Sequence, residues 1–177
     1  MIAKCLILLV GWIPVLAIAQ SRSPLENSPV NPGYEESAVA VQIELPAFPK
    51  PESLVEFYVS AVTLNKFLVD AATLGVGADG IVRYTLVVRT SGGAENITFE
   101  GMNCKEGKWR LYATGRADGS WVRSRSSDWR FIENKPVNRH HAALSRDLFC
   151  PNGGTLLNAD EGRTALRLGK HPHVMLD

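Results

Sequence analysis

Apolar and polar residues alternate along the chain from Leu74 to Gly115, and short glycine-containing turns interrupt the alternation. In residues 81–90, every even-numbered residue from Val82 to Val88 is apolar, and polar Arg83 and Thr85 fall between them. A period of two is typical of a strand with one buried face. The pattern predicts three or four antiparallel strands in this stretch, joined in chain order as a simple meander.

The hairpin loops determine the register that we expect in this sheet. A four-residue loop at positions 91–94 would pair Val88 with Ile97 and Leu86 with Phe99, so that the apolar faces coincide. We expect no slip by one residue, because a slip would place polar residues of the second strand opposite Leu86.

Two other hairpin loops end in a glycine, Gly80 in one and Gly107 in the other. A three-residue loop that closes with a glycine at positive φ is a common hairpin connection. With such loops, the expected cross-strand pairs are Val76 with Val82, Leu74 with Tyr84, Phe99 with Ala113, and Gly101 with Leu111.

Further elements flank the meander. Residues 54–59 predict a strand at the sheet edge or in a second layer, and residues 39–43 predict a short strand. Asn138 could cap a helix over residues 138–149, and a brief helix is expected near residues 163–168. The longer helix carries an apolar stripe that could cover the open face of the sheet, formed by Val137, His141, Leu144 and Leu148.

The fold class that follows is α+β. It consists of an antiparallel meander of four to six strands, with one C-terminal helix packed on it and one disulfide. The disulfide would join Cys104 to Cys150, the two cysteines that remain once an N-terminal signal peptide is removed. Pairing is the default expectation in an oxidising compartment and would stabilise the fold by about 4 kcal/mol. Two free thiols are the alternative.

The first 19 residues predict a signal peptide. Lys4 precedes an apolar run of fifteen residues, which ends in Ala17-Ile18-Ala19, a small-x-small cleavage sequence. A membrane span needs about 20 apolar residues, so the run is short for an anchor, although an uncleaved anchor is the alternative. Cleavage between Ala19 and Gln20 would release a periplasmic protein with no stable membrane span.

Composition divides the remaining chain into three parts. Residues 20–50 predict a proline-rich linker and extended segment, because few of them could pack in a core. Residues 51–154 predict a single α+β domain, and residues 155–177 a C-terminal tail. Loss of the signal peptide removes one basic residue and no acid, so the mature chain would be neutral. Neutrality argues against a general nucleic-acid binder.

A basic, tryptophan-rich stretch is the main candidate for ligand binding. Residues 105–130 contain seven Lys or Arg, three acids and three tryptophans. Arginine beside tryptophan can bind anions or glycans by charge pairing and stacking. The competing interpretation is that this stretch pairs with the acidic segment 20–75 within the molecule, with its tryptophans in the core or as a lid. For the polar sheet face, the alternative is a face that is simply solvated. With the polar sheet face included, the predicted ligand-binding residues are Arg83, Arg89, Arg110, Arg116, Trp121, Arg123, Trp129 and Arg130.

Two carboxylates are candidates for acid–base chemistry. Asp70 is an even-numbered residue, like apolar Leu74 and Val76 in the same predicted strand, so it should lie on their face and be partly buried. Glu100 is expected on the polar sheet face, opposite Tyr112. The chain contains no nucleophile-elbow, phosphate-loop or metalloprotease motif, so no catalytic residue is assigned. The histidines at 140–141 and 171–173 have no recognised ligand spacing, and no metal or cofactor is predicted.

Several segments, taken with their spacing, resemble a known family. They are residues 76–89, residues 94–96, Glu100-Gly101 with Cys104, residues 109–113, and residues 138–151. Together they resemble the cryptic-neisserial-protein-like family of small exported proteins in Gram-negative bacteria, over about residues 54–153. The resemblance implies a periplasmic location and a single domain. The family has no assigned activity, so the resemblance implies no catalytic residues.

Two functions are compatible with these patterns. One is a non-catalytic periplasmic binding or envelope-associated module, whose partner is an envelope component or another protein. The alternative is a small periplasmic hydrolase that uses Asp70 or Glu100. An enzyme should hold one of these acids in a concave pocket, whereas an exposed Asp70 on a flat wet sheet face would favour the binding module.

Overall fold

The computed structural model describes residues 43–126 and 128–174. The predicted signal peptide, most of the linker and all but the last residue of the predicted strand at 39–43 therefore lie outside the described residues. Within those two ranges, no helix is long and apolar enough to cross a membrane.

Strands of one antiparallel sheet form most of the described chain. In order they are β1 (Leu54–Phe57), β2 (Lys66–Val76), β3 (Val82–Arg89), β4 (Glu95–Asn103), β5 (Lys108–Gly115), β6 (Trp121–Arg123) and β7 (Arg130–Phe131). Strands β1 to β6 lie side by side in chain order, and β7 also pairs with β5. The predicted α+β meander with a C-terminal helix and a Cys104–Cys150 disulfide is confirmed.

Helices follow the sheet in the chain. Helix α1 (Arg139–Ala143) is followed directly by a π-helix (Leu144–Phe149), and the two cover the range predicted as one helix. Helix α2 (Ala159–Leu168) begins four residues earlier than predicted. Its first turn is capped by Asn158, whose side-chain oxygen accepts a hydrogen bond from the Glu161 amide.

Two details of the predicted α1 segment are wrong. Asn138 precedes α1, but its side chain makes no capping hydrogen bond. Val137 is 78% exposed, so the apolar stripe begins at His141 and continues through Leu144 and Leu148, all of which are buried.

The register between β3 and β4 differs by one residue from the prediction. Leu86 lies opposite Thr98, and Val88 lies opposite Asn96. The loop has three residues rather than four, because Gly93 takes a φ of +85° and the Thr90 amide donates to the Ala94 carbonyl. The argument against a slip assumed one wet sheet face, but the sheet is covered on both sides.

The β2–β3 hairpin agrees with the prediction near its loop. The β4–β5 loop has four residues, 104–107, rather than three, so that hairpin agrees with the prediction only beyond its bulge. Gly80 and Gly107 have positive φ angles of 72° and 61°. The expected pairs of Val76 with Val82 and of Phe99 with Ala113 are present.

The predicted pairing fails beyond the irregularity in the β2–β3 pair and between the loop and the bulge in the β4–β5 pair. The β2–β3 register shifts between Asp70 and Gly75, so Leu74 and Tyr84 do not form the expected pair. The β4–β5 register shifts between Phe99 and Glu100, and Gly101 pairs with Arg110 instead of Leu111. Strand β2 has four residues, 71–74, where β3 has one, and β5 has one extra residue, Tyr112. A count from the loop cannot anticipate either irregularity.

One face of the sheet, called the helix face below, packs against the helices. Its largest fully buried side chains include Tyr84, Met102, Leu144, Leu148 and Phe149. The disulfide between Cys104 and Cys150 joins the end of β4 to the end of the π-helix, with 5.3 Å between the Cα atoms.

The opposite face is covered by residues 43–50, an extended segment called the strap, and is the strap face. Ile43 and Leu45 pack against a small core that contains Phe99. The Trp121 indole donates a hydrogen bond to the Pro46 carbonyl over 2.9 Å, and the Arg123 guanidinium donates two to the Ile43 carbonyl. The strap therefore buries a face that the sequence pattern predicts to be wet.

Candidate functional site

Arginine and aromatic side chains alternate across the strap face beside the β4–β5 hairpin. This arginine–aromatic ladder consists of Arg83, Tyr112, Arg110 and Trp129. Arg83 and Arg110 flank the same residue of β4, Gly101. Their Cζ atoms lie 5.8 and 5.0 Å from the centre of the Tyr112 ring, and Arg110 Cζ lies 5.3 Å from the Trp129 ring. The Arg110 guanidinium thus contacts two aromatic rings.

The absence of a side chain at Gly101 allows this arrangement. A Cβ atom at that position would lie 2.5 Å from Tyr112 Oη and 2.7 Å from Tyr112 Cε2. Tyr112 itself is the extra residue of the β5 bulge, because Glu100 faces Leu111 and Phe99 faces Ala113. The phenol ring therefore lies across Gly101 and meets the two arginines.

The two arginines of the ladder differ in their partners. Arg83 donates two hydrogen bonds to the Asp79 carboxylate, and these bonds lower the pKa of Asp79. Arg110 has no ion pair or hydrogen bond within the described ranges, and its Nε is buried without a partner. Burial raises the pKa of Tyr112 despite the opposing charges of Arg83 and Arg110. The Arg110 guanidinium therefore has N–H donors that can bind an anion.

The structure brings together only some of the eight predicted ligand-binding residues. Arg83, Arg110 and Trp129 meet in the ladder, whereas Arg89 pairs with Glu95 at the β3–β4 hairpin. The remaining four lie elsewhere. Arg116 is in the β5–β6 turn, Trp121 and Arg123 hold the strap, and Arg130 lies over the Trp109 ring at 5.6 Å.

Glu100 is not on the polar face where the sequence pattern placed it. The one-residue shift moves Glu100 to the helix face, opposite Tyr84, where it is 3% exposed. Its Oε2 accepts a hydrogen bond from Tyr84 Oη at 3.0 Å and lies 2.8 Å from His141 Nε2. Its Oε1 accepts from Thr98 Oγ1 at 2.8 Å.

The groups around Glu100 determine its ionisation. Burial acts to raise the pKa of Glu100, but the charge and hydrogen bond of His141, assisted by Thr98, outweigh it and lower the pKa. Burial and the Glu100 charge raise the pKa of Tyr84 well above its ordinary value. Burial lowers the pKa of the adjacent His140 to about 4. The cluster holds a carboxylate in the core through neighbouring donors.

This cluster is closed to substrate. His141 is 2% exposed, and its ring stacks on the Trp109 ring with 3.7 Å between centroids. Tyr84, which is completely buried, packs against Phe149 on its other side. A buried carboxylate with three hydrogen-bond partners fits a structural role, because such groups must be satisfied to be tolerated in a core.

Asp70 occupies a different setting, a pocket of about 480 Å³ between the strap and the bulged part of β2. Its side chain is 1% exposed, which agrees with the expected burial. Oδ1 accepts a hydrogen bond from the Ala72 amide at 3.0 Å. The pocket is lined by Pro46, Ala47, Phe48, Lys50, Glu52, Ser53, Asp70, Ala72 and Thr73.

The hydroxyl groups of this pocket do not form a nucleophile–base pair with Asp70. Ser53 Oγ donates to the Lys50 carbonyl, and Thr73 Oγ1 donates to the backbone carbonyl of Asp70. Covalent catalysis needs a nucleophile within hydrogen-bond reach of its base. The pocket provides a carboxylate in an enclosed space, which suits ligand binding.

Glu161, His171 and His173 form a third group of polar side chains, with potential ligand atoms within 4.8 Å of one another. His171 Nδ1 accepts a hydrogen bond from the His173 amide, and its Nε2 lies 3.1 Å from Glu161 Oε1. The two contacts place the ring proton on Nε2. A cation could replace that proton only at the expense of the hydrogen bond to Glu161.

Comparisons with known proteins agree with the resemblance found in the sequence. The model of the CNP1-like family matches residues 33–167. Cryptic neisserial protein 1 of Neisseria gonorrhoeae is 27% identical over 153 residues, which cover 72% of this chain and 75% of that protein. No solved structure matches the chain.

Proposed function

The chain belongs to the CNP1-like family, and from that premise we propose that it is an exported, non-catalytic binding module that takes anionic ligands on the arginine–aromatic ladder. The observation that carries the proposal is Arg110. Its guanidinium contacts two rings, Tyr112 and Trp129, and has no carboxylate partner among the described residues.

The chemistry of the ladder favours an anion with a planar or multivalent head. Contact with two rings restricts the guanidinium, and its terminal N–H donors have no partner among the described residues. Less side-chain entropy is therefore lost when a carboxylate, sulfate or phosphate binds. Arg83 adds a second cation on the far side of Tyr112, partly neutralised by Asp79. Envelope glycans with acidic groups and acidic protein segments present such anions.

Export is supported by the N-terminal sequence and by the disulfide. The apolar run before Gln20 has the length and cleavage sequence of a signal peptide, and disulfides persist in oxidising compartments. Release of the protein from intact cells by osmotic shock, with a mature end at Gln20, is the expected result. Retention in the cytoplasm with Met1 intact would contradict export.

The binding proposal can be tested with sulfated dextran as the anionic probe and uncharged dextran of the same length as the control. Isothermal titration should detect the sulfated polymer only, with an affinity that falls as salt concentration rises. Arg110→Gln should weaken binding about tenfold, since a charge-assisted hydrogen bond contributes about 1.5–3 kcal/mol.

Arg116→Gln is the matched control, because it removes the same charge from a turn six residues further along the chain. It should change the affinity less than about twofold, as expected of an exposed charge outside the site. Equal losses in the two variants would mean that only the overall charge attracts the polymer, and would contradict a site at the ladder.

Hydrolysis is a second candidate, favoured by the position of Asp70 in a pocket. Asp70 would then act as a general base on a water molecule. The hydrolase would be favoured if the protein turns over an ester or glycoside substrate, and if this activity is lost in Asp70→Asn but kept in Glu52→Gln, a change at the same pocket. If the purified protein leaves every ester and glycoside substrate tested unchanged, hydrolysis is ruled out.

A further inference from the structure

The pocket that contains Asp70 lies on the strap face but is distinct from the ladder. The strap forms one wall with Pro46, Ala47 and Phe48, and the irregular part of β2 forms the floor with Asp70. The Phe48 ring packs against Trp121 with 5.3 Å between centroids, so the wall is held by the core. Lys50 and Glu52 are exposed residues of the lining.

Asp70 has more hydrogen-bonding capacity than the surrounding protein uses. A carboxylate can accept about four hydrogen bonds. Oδ1 accepts one, from the Ala72 amide, and Oδ2 has no partner in the described part of the chain. Asp70 also forms no salt bridge with any described residue, although its side chain is 99% buried. A buried carboxylate is costly unless a cation or several donors compensate it.

The residue across the strands from Asp70 has an unused polar group as well. Thr85 pairs directly with Asp70 on the same face of the sheet and is completely buried. Its Oγ1 has no hydrogen-bond partner among the described residues. Buried hydroxyls nearly always have a partner. Two adjacent polar side chains at this position therefore have unused hydrogen-bonding atoms.

The geometry points to a binding site for a small primary amine, whose ammonium group pairs with the Asp70 carboxylate and whose apolar body lies against Pro46 and Phe48. An ammonium supplies three donors and the positive charge that the buried carboxylate lacks. The pocket volume of about 480 Å³ is in the range typical of small-molecule sites. This pocket would bind a cation, whereas the ladder is proposed to bind anions. Probes of opposite charge therefore distinguish the two sites.

Three probes of similar shape test the proposal on the exported protein: phenethylamine, 2-phenylethanol and 3-phenylpropionate. Amide chemical shifts measured by NMR should change for Ala72 and Phe48 on addition of phenethylamine. The neutral alcohol and the acid should bind at least about tenfold more weakly, because neither supplies a cation to the carboxylate. Equal binding of the amine and the alcohol would overturn the proposal.

Asp70→Asn is the informative variant, because asparagine retains the side-chain oxygen that accepts from the Ala72 amide. It should weaken phenethylamine binding at least about tenfold. Glu133→Gln removes a charge from an exposed position outside the pocket lining and should change binding less than about twofold. Arg110→Gln should leave amine binding intact, so loss of anion binding at the ladder and loss of the amine site are distinguishable.

If Asp70→Asn does not fold, the comparison of the three probes on the unmodified protein decides. A preference for the amine with shifts at Ala72 and Phe48 supports the site. Shifts confined to other regions, or no shifts, overturn it.

Discussion

Each face of the sheet buries a carboxylate, but the two carboxylates differ in the number of their hydrogen-bond donors. On the helix face, Glu100 is surrounded by donors from Tyr84, Thr98 and His141. On the strap face, Asp70 has one backbone donor, and Thr85 and Arg110 each have a buried polar atom without a described partner. The protein satisfies the carboxylate of the helix face, although His141 Nδ1 and Trp109 Nε1 on that face are buried without a described partner. The carboxylate of the strap face keeps unused hydrogen-bonding capacity.

This difference separates a structural polar cluster from candidate binding sites. Burial alone does not distinguish Glu100 from Asp70, because both are at most 3% exposed. The distinguishing property is whether the protein satisfies the buried group. We therefore expect changes on the helix face to reduce stability and changes on the strap face to reduce binding with little loss of stability.

The largest effect is expected from removal of the disulfide that fastens the helix face. Cys104 and Cys150 are 46 residues apart in the chain, so the double change Cys104→Ala and Cys150→Ala should lower the free energy of unfolding by about 4 kcal/mol. Urea denaturation of the oxidised protein and the variant measures the difference. A loss below about 1 kcal/mol would mean that the disulfide adds little to the packed core.

Glu100→Gln should have the next largest effect. Glutamine has one accepting oxygen in place of the two that Glu100 uses, and the change removes the negative charge facing His141, so we expect a loss of about 3 kcal/mol. Glu95→Gln is the control, because it breaks only the exposed pair with Arg89 and should cost less than about 1 kcal/mol. Similar losses in both variants would contradict a special role for the cluster.

The pH dependence of stability provides a third test of the helix face. The pKa of His140 is lowered to about 4 by burial, so the unfolded chain binds the proton more readily than the folded protein does. Stability should therefore fall as the pH falls from about 6.5 to about 4, by about 3 kcal/mol. His140→Gln should remove this part of the slope. An unchanged pH profile in the variant would show that His140 is not its source.

The smallest change in stability is expected on the strap face. Arg110→Gln loses its contacts with Tyr112 and Trp129 but also relieves a buried Nε without a described partner. The net loss should be about 1 kcal/mol or less, by the usual size of a cation–π contact. Thermal denaturation measures it. A loss as large as that of Glu100→Gln would make Arg110 a structural residue.

The alternating pattern was sufficient to predict the meander, the apolar stripe predicted the helix over residues 138–149, and the number of cysteines in the mature chain predicted the disulfide. It could not predict the registers, because Thr85 and Val87 are buried on the face assumed to be wet. That face is covered by residues 43–50, a stretch with two prolines and no periodicity. An extended segment of this kind has no repeating pattern of apolar residues. Its position over the sheet is determined by tertiary contacts and could not be predicted from the sequence.

The candidate sites were predictable to a different extent. Arg83, Arg110 and Trp129 were identified by their composition, but their meeting point depends on Gly101 and on the bulge at Tyr112. Asp70 was expected to be partly buried because it shares the parity of Leu74, but the irregularity in β2 places the two residues on opposite faces, and Asp70 is buried beside the strap instead. The Glu100 cluster was missed as a cluster, because the one-residue shift in β4 moved this acid to the opposite face.

The most direct test of the difference between the faces is to measure two quantities on the same two variants. The quantities are the free energy of unfolding and the affinity for sulfated dextran, and the variants are Glu100→Gln and Arg110→Gln. We predict that Glu100→Gln loses about 3 kcal/mol of stability and keeps its affinity within about twofold. Arg110→Gln should lose about tenfold in affinity and at most about 1 kcal/mol of stability. Parallel losses of both quantities in both variants would contradict the separation of structural and binding faces.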